Sequence, residues 1–202
     1  MKNPFLQVYL DMQAHQLEHE RTLRRGQPNP HGCFSCLREG KSEGTHVRNI
    51  YSWAIPTEEA IHFIASHTPN GIVEVGAGFG YWAWLLRQIN VQVYPYDIAP
   101  DGNLWCDGSP WTSVLQGGTE VVKSHREQAL FMCWPPYNDY MAFDTLWEYE
   151  GDTLIYIGED RSGCTADDLF FVLLEEEWEE IAYHGIPQWM GIHDYVTVYR
   201  RR

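Results

Sequence analysis

Residues 73–82 read Val-Glu-Val-Gly-Ala-Gly-Phe-Gly-Tyr-Trp, with Gly76, Gly78 and Gly80 at alternate positions and Glu74 two places before the first of them. Glycine at this density suits a chain that turns sharply, or a backbone that a ligand approaches closely. The run stands between a short apolar segment and an aromatic one, so it reads as a turn that leaves a strand and opens a helix. Such a turn offers N–H groups and the positive end of the helix dipole to phosphate, carboxylate or ribose oxygens. Asp97 lies seventeen residues beyond Gly80, at the end of the next strand-like run. There its carboxylate would accept hydrogen bonds from both hydroxyls of a ribose.

Ligands of open α/β sheets bind outside the carboxyl ends of the strands, so residues just after each strand are the next candidates. In Cys133-Trp-Pro-Pro-Tyr137 the prolines fix a rigid turn, and Tyr137 can stack on or orient a planar substrate. Trp134 has only a donor N–H and cannot take a hydrogen from a target amine. His125, Glu159 and His193 are the rim groups able to remove a proton, with histidine favoured by its intrinsic pKa. Tyr51, Trp53, Tyr81, Trp82 and Trp84 could cage a cation, and core packing is the other use of the same rings. His15 and His19, one helical turn apart, together with Cys33 and Cys36 could complete a tetrahedral zinc site. Otherwise the two cysteines are simple loop thiols, and no metal is assigned.

The elements that must position these groups follow from periodicity. Residues 4–25 carry Phe5, Val8, Tyr9, Met12 and Leu17 at helical spacing and stop at Gly26. Residues 26–46 collect Gly, Pro, Asn and Ser and read as an irregular segment. Thr57 is a natural helix cap before Glu58 and Glu59. Strands are then expected at GIVEVG, VQVYPYD, EVVKSH, ALFMCW and DTLIYIG, with helices at YWAWLLRQI, YMAFDTLWEY and ADDLFFVLLEEEW between or after them. The final runs, EEIAYHG and YVTVYRR, have no helix between them. Two such strands pair antiparallel. The expected fold class is α/β, with a mostly parallel seven-stranded sheet that ends in an antiparallel hairpin.

Glu74-x-Gly76-x-Gly78-x-Gly80, with Trp82 or Ala83 where a dinucleotide site would place its third glycine, resembles motif I of class I S-adenosylmethionine-dependent methyltransferases. Asp97 and the terminal hairpin agree with that resemblance. The segments YSWAIPTEEAI, VEVGAGFGYWAWLL, FMCWPPY, GDTLIYIGE and TADDLFF look like those of a group of small methyltransferase-like proteins. The resemblance covers residues 51–202 and implies a Rossmann-like methyltransferase fold with S-adenosyl-L-methionine as cofactor. It places Glu74 near the cofactor's methionine amino group, lets the backbone pass at the three glycines, puts Asp97 on the ribose, and sets Tyr81 and Trp134 beside them. Amino-methylating members carry Asn, Asp or Ser where Trp134 stands, so adenine methylation loses its chemical support. The implied activity is methyl transfer to a small-molecule or protein acceptor; the alternative is a non-catalytic S-adenosylmethionine-binding regulatory module. Residues 1–50 read as a helical lid that helps enclose the site.

Charge and composition bound the partners. The 202 residues carry a formal charge of −14, with the first fifty weakly basic and the remainder strongly acidic. That lacks the basic footprint of a protein that grips a long nucleic-acid surface. Five cysteines without a signal-like amino terminus make no secreted disulfide framework, so a reducing, cytoplasmic setting is expected. No apolar run approaches the length of a membrane span.

Overall fold

The apolar runs at Ile72–Val75, Ala129–Cys133 and Thr153–Gly158 are buried along nearly their whole length, as strands covered by helices on both faces must be. The computed structural model describes residues 1–24 and 47–202, with side chains in the first helix described as far as Leu17. Its strands are β1 (Ile72–Val75), β2 (Val93–Asp97), β3 (Leu115–Gln116), β4 (Ala129–Cys133), β5 (Thr153–Gly158), β6 (Trp178–Gly185) and β7 (Tyr195–Arg201). They form one sheet in the order β3-β2-β1-β4-β5-β7-β6. The pairs among the first five are parallel. β7 runs antiparallel to both β5 and β6, with an irregularity between Glu180 and Ala182. The expected seven-stranded sheet with a terminal hairpin is therefore present.

The helices are α1 (Pro4–Arg24), α2 (Glu58–His67), α3 (Tyr81–Gln88), α4 (Met141–Glu148) and α5 (Asp168–Glu177), with a further helical turn at 47–50. Local chemistry starts two of them. Thr57 Oγ1 accepts the Ala60 N–H at 3.0 Å, and Asp167 Oδ1 accepts the N–H groups of Leu169 and Phe170 at 2.9 and 3.2 Å. Alternate strand residues feed opposite faces of the sheet. Ile72, Phe131, Ile155 and Val198 pack with α2 and α3 through Ile61, Ile64, Trp82 and Leu85. Val73, Leu130, Leu154 and Tyr156 pack with α4 and α5 through Leu146, Phe170 and Leu174.

α1 docks on the first of these faces. Phe5 is fully buried and stacks on Tyr51 with ring centres 5.0 Å apart. The Asn3 Nδ2 group donates to Pro56 O at 2.7 Å, and the Tyr9 hydroxyl donates to Gln188 O at 3.1 Å. One expected strand is absent. Glu120–His125 falls in a 3-10 helix at Thr119–Ser124, and the third strand is instead the two-residue β3. Only Val122 of this segment is fully buried, and the Gly118 N–H is tied to Glu120 Oε1 at 3.1 Å, which curls the chain just after the two paired residues of β3. Cys33 and Cys36 lie outside the described residues, as does the side chain of His19.

Candidate functional site

The carboxyl ends of β1, β2 and β4 open on a cleft of about 500 Å³, within the usual size of a small-molecule site. The glycine turn forms its floor. Gly76, Gly78 and Gly80 all have positive φ, at 75°, 55° and 73°. A Cβ on Gly78 would stand 2.9 Å from Cys106 Sγ, and one on Gly76 would stand 2.7 Å from Met141 Cε. Left-handed backbone and close side-chain approach thus both call for glycine here. The turn spends much of its donor capacity internally, however. The N–H groups of Ala77 and Gly80 bond to Tyr96 O and Ala77 O at 2.9 and 2.8 Å, and that of Gly78 to Asp97 Oδ2 at 2.8 Å. What the turn offers a ligand is open space along a bare backbone more than a row of free donors.

Glu74 lines the cleft at 2 % exposure, and its Oε2 has no hydrogen-bond partner. Burial pushes its pKa up to about 8; the Arg87 charge pulls it down slightly and the Asp97 charge raises it further. An orphaned acidic oxygen in a polar recess calls for a donor from a ligand. Asn49, another lining residue, also holds a buried Oδ1 without a partner. Asp97 lines the cleft and is held on both oxygens, with Oδ1 accepting the Ala99 N–H at 2.9 Å and the Asn103 amide at 3.4 Å. A carboxylate has about four acceptor sites. Asp97 therefore caps its own turn and keeps acceptor capacity for hydroxyl donors.

Tyr81 and Trp134 border the same space. The Tyr81 hydroxyl faces α1, donating to Asn3 Oδ1 at 2.9 Å and accepting the Phe5 N–H at 3.1 Å, so the residue joins the cleft wall to the first helix. Trp134 has φ +55°, a conformation that costs a bulky residue about 1–2 kcal/mol. Its backbone N–H bonds to Ile157 O at 2.7 Å, and its indole N–H donates to Asp194 Oδ2 at 2.8 Å. Asp194 is 1 % exposed with its other oxygen unpaired. Burial raises its pKa to about 6, against the lowering effect of the Trp134 hydrogen bond. Beneath the cleft the Trp82 indole donates to Ser52 Oγ at 2.9 Å, and that hydroxyl lies 3.8 Å from Cys133 Sγ.

The four residues considered for the chemistry do not converge. Tyr137 stands at the cleft mouth, largely exposed. His125 sits under β2, its Nε2 3.1 Å from the Tyr96 hydroxyl and its Nδ1 3.3 Å from Gln128 Oε1, and is not part of the cleft lining. Glu159 faces a separate hollow of about 260 Å³. Its Oε2 accepts from the Cys164 N–H and thiol at 2.9 and 3.1 Å, and its Oε1 from the His193 N–H at 2.9 Å. Burial opposes its ionisation, but the Cys164 thiol and these N–H groups outweigh that and hold its pKa below the usual range. The His193 ring is 82 % exposed, with Nδ1 3.7 Å from Glu159 Oε1. Sequence reasoning did not single out Arg48, Asn49, Cys106, Cys164 and Asp194. Contacts between distant parts of the chain bring them here, Arg48 with Trp189 and Asp194 with Trp134 among them, and no local spacing marks them.

No family model matches the chain, and no curated protein sequence matches it. Solved structures do. MtNAS, crystallised as a point mutant with S-adenosylmethionine, is similar over 96% of this chain and 74% of its own, at 15% identity and a TM-score of 0.51. The 1,6-didemethyltoxoflavin-N1-methyltransferase of Burkholderia thailandensis covers 86% and 91% of the two chains at 15% identity and a TM-score of 0.47. The magnesium protoporphyrin IX methyltransferase of Synechocystis PCC 6803 covers 82% of each at 10% identity and a TM-score of 0.45. The strand order and the reversed β7 give a Rossmann-like architecture, a fold this chain shares with MtNAS.

Proposed function

We propose that the cleft binds S-adenosylmethionine and that the protein transfers its methyl group to a small-molecule or protein acceptor. The observation that carries this reading is Glu74: a buried carboxylate with an unpaired oxygen, beside a glycine turn without Cβ atoms and opposite a second carboxylate at Asp97. Glu74 is placed to take the cofactor's ammonium group, Asp97 to accept from its ribose hydroxyls, and the bare turn at Gly76 and Gly78 to let the chain of atoms between them pass. The residues present fit the group. Held there, S-adenosylmethionine would supply an electrophilic methyl group for in-line displacement by a lone pair of the acceptor, with S-adenosylhomocysteine as the leaving group.

The chain's own residues do the rest by position. The cleft wall of Tyr51, Trp53 and Trp134 excludes water, and in-line displacement gains most from a held geometry. An acceptor whose nucleophile is already ionised needs no base, which suits a cleft whose described lining residues include no histidine. The docked start of α1 and the turn at 47–50 are read as a lid whose inner face is the Tyr51 and Tyr81 wall. Full-length protein incubated with methyl-labelled cofactor and cell extract tests the activity. Label passing to an extract component supports the enzyme, and its loss in D97A ties transfer to this cleft. Tight cofactor retention without transfer to any component would favour a regulatory module instead.

A further inference from the structure

The side chains at the mouth of the cleft are apolar where water would favour polar ones. Leu104 is 91 % exposed, Tyr137 66 % and Trp105 53 %, and all three line the cleft. The Trp53 ring lies 5.7 Å from Trp105, close to edge-on, and 5.2 Å from Trp134, tilted by 34°. These five side chains come from three separate stretches of chain: the segment before α2, the loop after β2 and the turn after β4. They line one opening, so they form the sides of a slot and not a flat patch. Exposed apolar surface gathered at a cleft marks the seat of a ligand.

Among the described residues, the charged groups that line the cleft are Arg48, Glu74 and Asp97, the two carboxylates standing at the glycine turn. The Arg48 guanidinium lies 4.7 Å from the Trp53 ring centre and 5.4 Å from that of Trp189. Its charge is met from inside the protein by Asp194, the buried carboxylate bonded to the Trp134 indole. Burial disfavours the charged form of each, and each of the two charges favours the other. The aromatic end thus holds a compensated pair, with no cation left over among the described residues to recruit an anion.

We propose that the acceptor is a small, flat, uncharged aromatic molecule, seated against Trp53, Trp105 and Tyr137 with its reacting edge toward the glycine end. This rests on the reading that the glycine end takes the sulfonium cofactor. A sulfonium repels a cationic acceptor at close range. An anion would trade its water for ring faces and alkyl carbon, which costs it far more than it costs a neutral ring. A flat ring finds both stacked and edge-on partners in such a wall. A few side chains around one opening suit a small molecule better than a protein face, which takes about 20–30 residues a side. An aromatic ring nitrogen offers a neutral lone pair that needs no base, in keeping with a described lining without histidine.

The test is ligand-observed NMR on the full chain saturated with S-adenosylhomocysteine, whose sulfur carries no charge, so that the probes report the wall itself. The probes are quinoline, 2-naphthoate and 2-naphthylmethylamine, bicyclic aromatics that are neutral, anionic and cationic near neutral pH. The expected result is that quinoline binds at least about tenfold more tightly than either charged probe. Trp105→Ala, at a half-exposed site, should weaken quinoline by about threefold or more while S-adenosylhomocysteine still binds. A smaller preference in the wild type, or tighter binding of either charged probe, needs no variant to fold and overturns the proposal. So does a smaller loss in a folded W105A, or label that passes from the cofactor to the protein fraction of cell extract. Each of these outcomes refutes the acceptor class alone, whereas absence of S-adenosylhomocysteine binding refutes the cofactor reading.

Discussion

Replacing Glu74 with Gln should make the protein's stability less sensitive to pH between 5 and 7. The wild-type carboxyl has an ordinary pKa near 4.5 when unfolded and one of about 8 when folded, because burial disfavours its charged form. Between those values the folded chain holds a proton that the unfolded chain has released. Stability contributed by this group is therefore full below pH 4.5, falls as pH rises, and is lost above about 8, the reverse of a salt-bridged acid. The slope approaches about 1.4 kcal/mol per pH unit, so from pH 5 to 7 the wild type loses roughly 2–3 kcal/mol through this group. For a chain of this size that is about 4–10 °C in Tm. The Gln side chain does not titrate, and any fixed cost of its amide is the same at both pH values. The Tm difference, E74Q minus wild type, should therefore grow by about that amount from pH 5 to 7 in calorimetric scans without ligand. A difference that stays constant with pH, or shrinks, would refute a buried, protonated Glu74.

If a cationic ammonium group occupies the recess, its binding must expel that proton. S-adenosylhomocysteine titrated at pH 7 in buffers of different ionisation enthalpy should release close to one proton (about 0.5–1) from the wild type and none from E74Q. Gly78→Ala should cost about 1–3 kcal/mol, from its φ of 55° and the Cys106 sulfur 2.9 Å from the new Cβ, read as a lowered denaturation midpoint. Phe5→Ala should cost about 3–5 kcal/mol and release hydrogen-exchange protection along the start of α1; an unchanged midpoint would show that the helix is not docked. Trp134→Phe removes the one donor on Asp194 Oδ2 while its other oxygen is already unpaired. The penalty should reach about 1–3 kcal/mol and grow as pH rises through about 6, where the wild-type group ionises.

Much of the fold was legible because burial leaves a periodic trace. Ile72–Val75 and Thr153–Gly158 read as strands, and Thr57 marks a helix start that the structure keeps. The run around Val121 and Val122 misled because two adjacent apolar residues suit a strand, whereas Gly117 and Gly118 let the chain curl into a 3-10 helix. That curl also carries His125 under Tyr94 and Tyr96 and away from the cleft. Gly76, Gly78, Glu74 and Asp97 were readable as a group, since the first three belong to one strand–turn–helix unit and Asp97 ends the strand that follows it. The donor role expected of the turn was not, because which N–H groups remain available depends on how β2 and Asp97 fold against it. Arg48 and Asp194 carry no local mark at all. Their places are set by Trp53, Trp189 and Trp134, partners brought in by tertiary packing.

The central claim is tested most directly by titrating S-adenosylhomocysteine into the full chain in a calorimeter, alongside D97A and E74Q. Saturable one-to-one binding by the wild type, with affinity reduced about tenfold or more in each variant, is the predicted result. Absence of binding heat at two temperatures, or equal affinity in all three proteins, would contradict it.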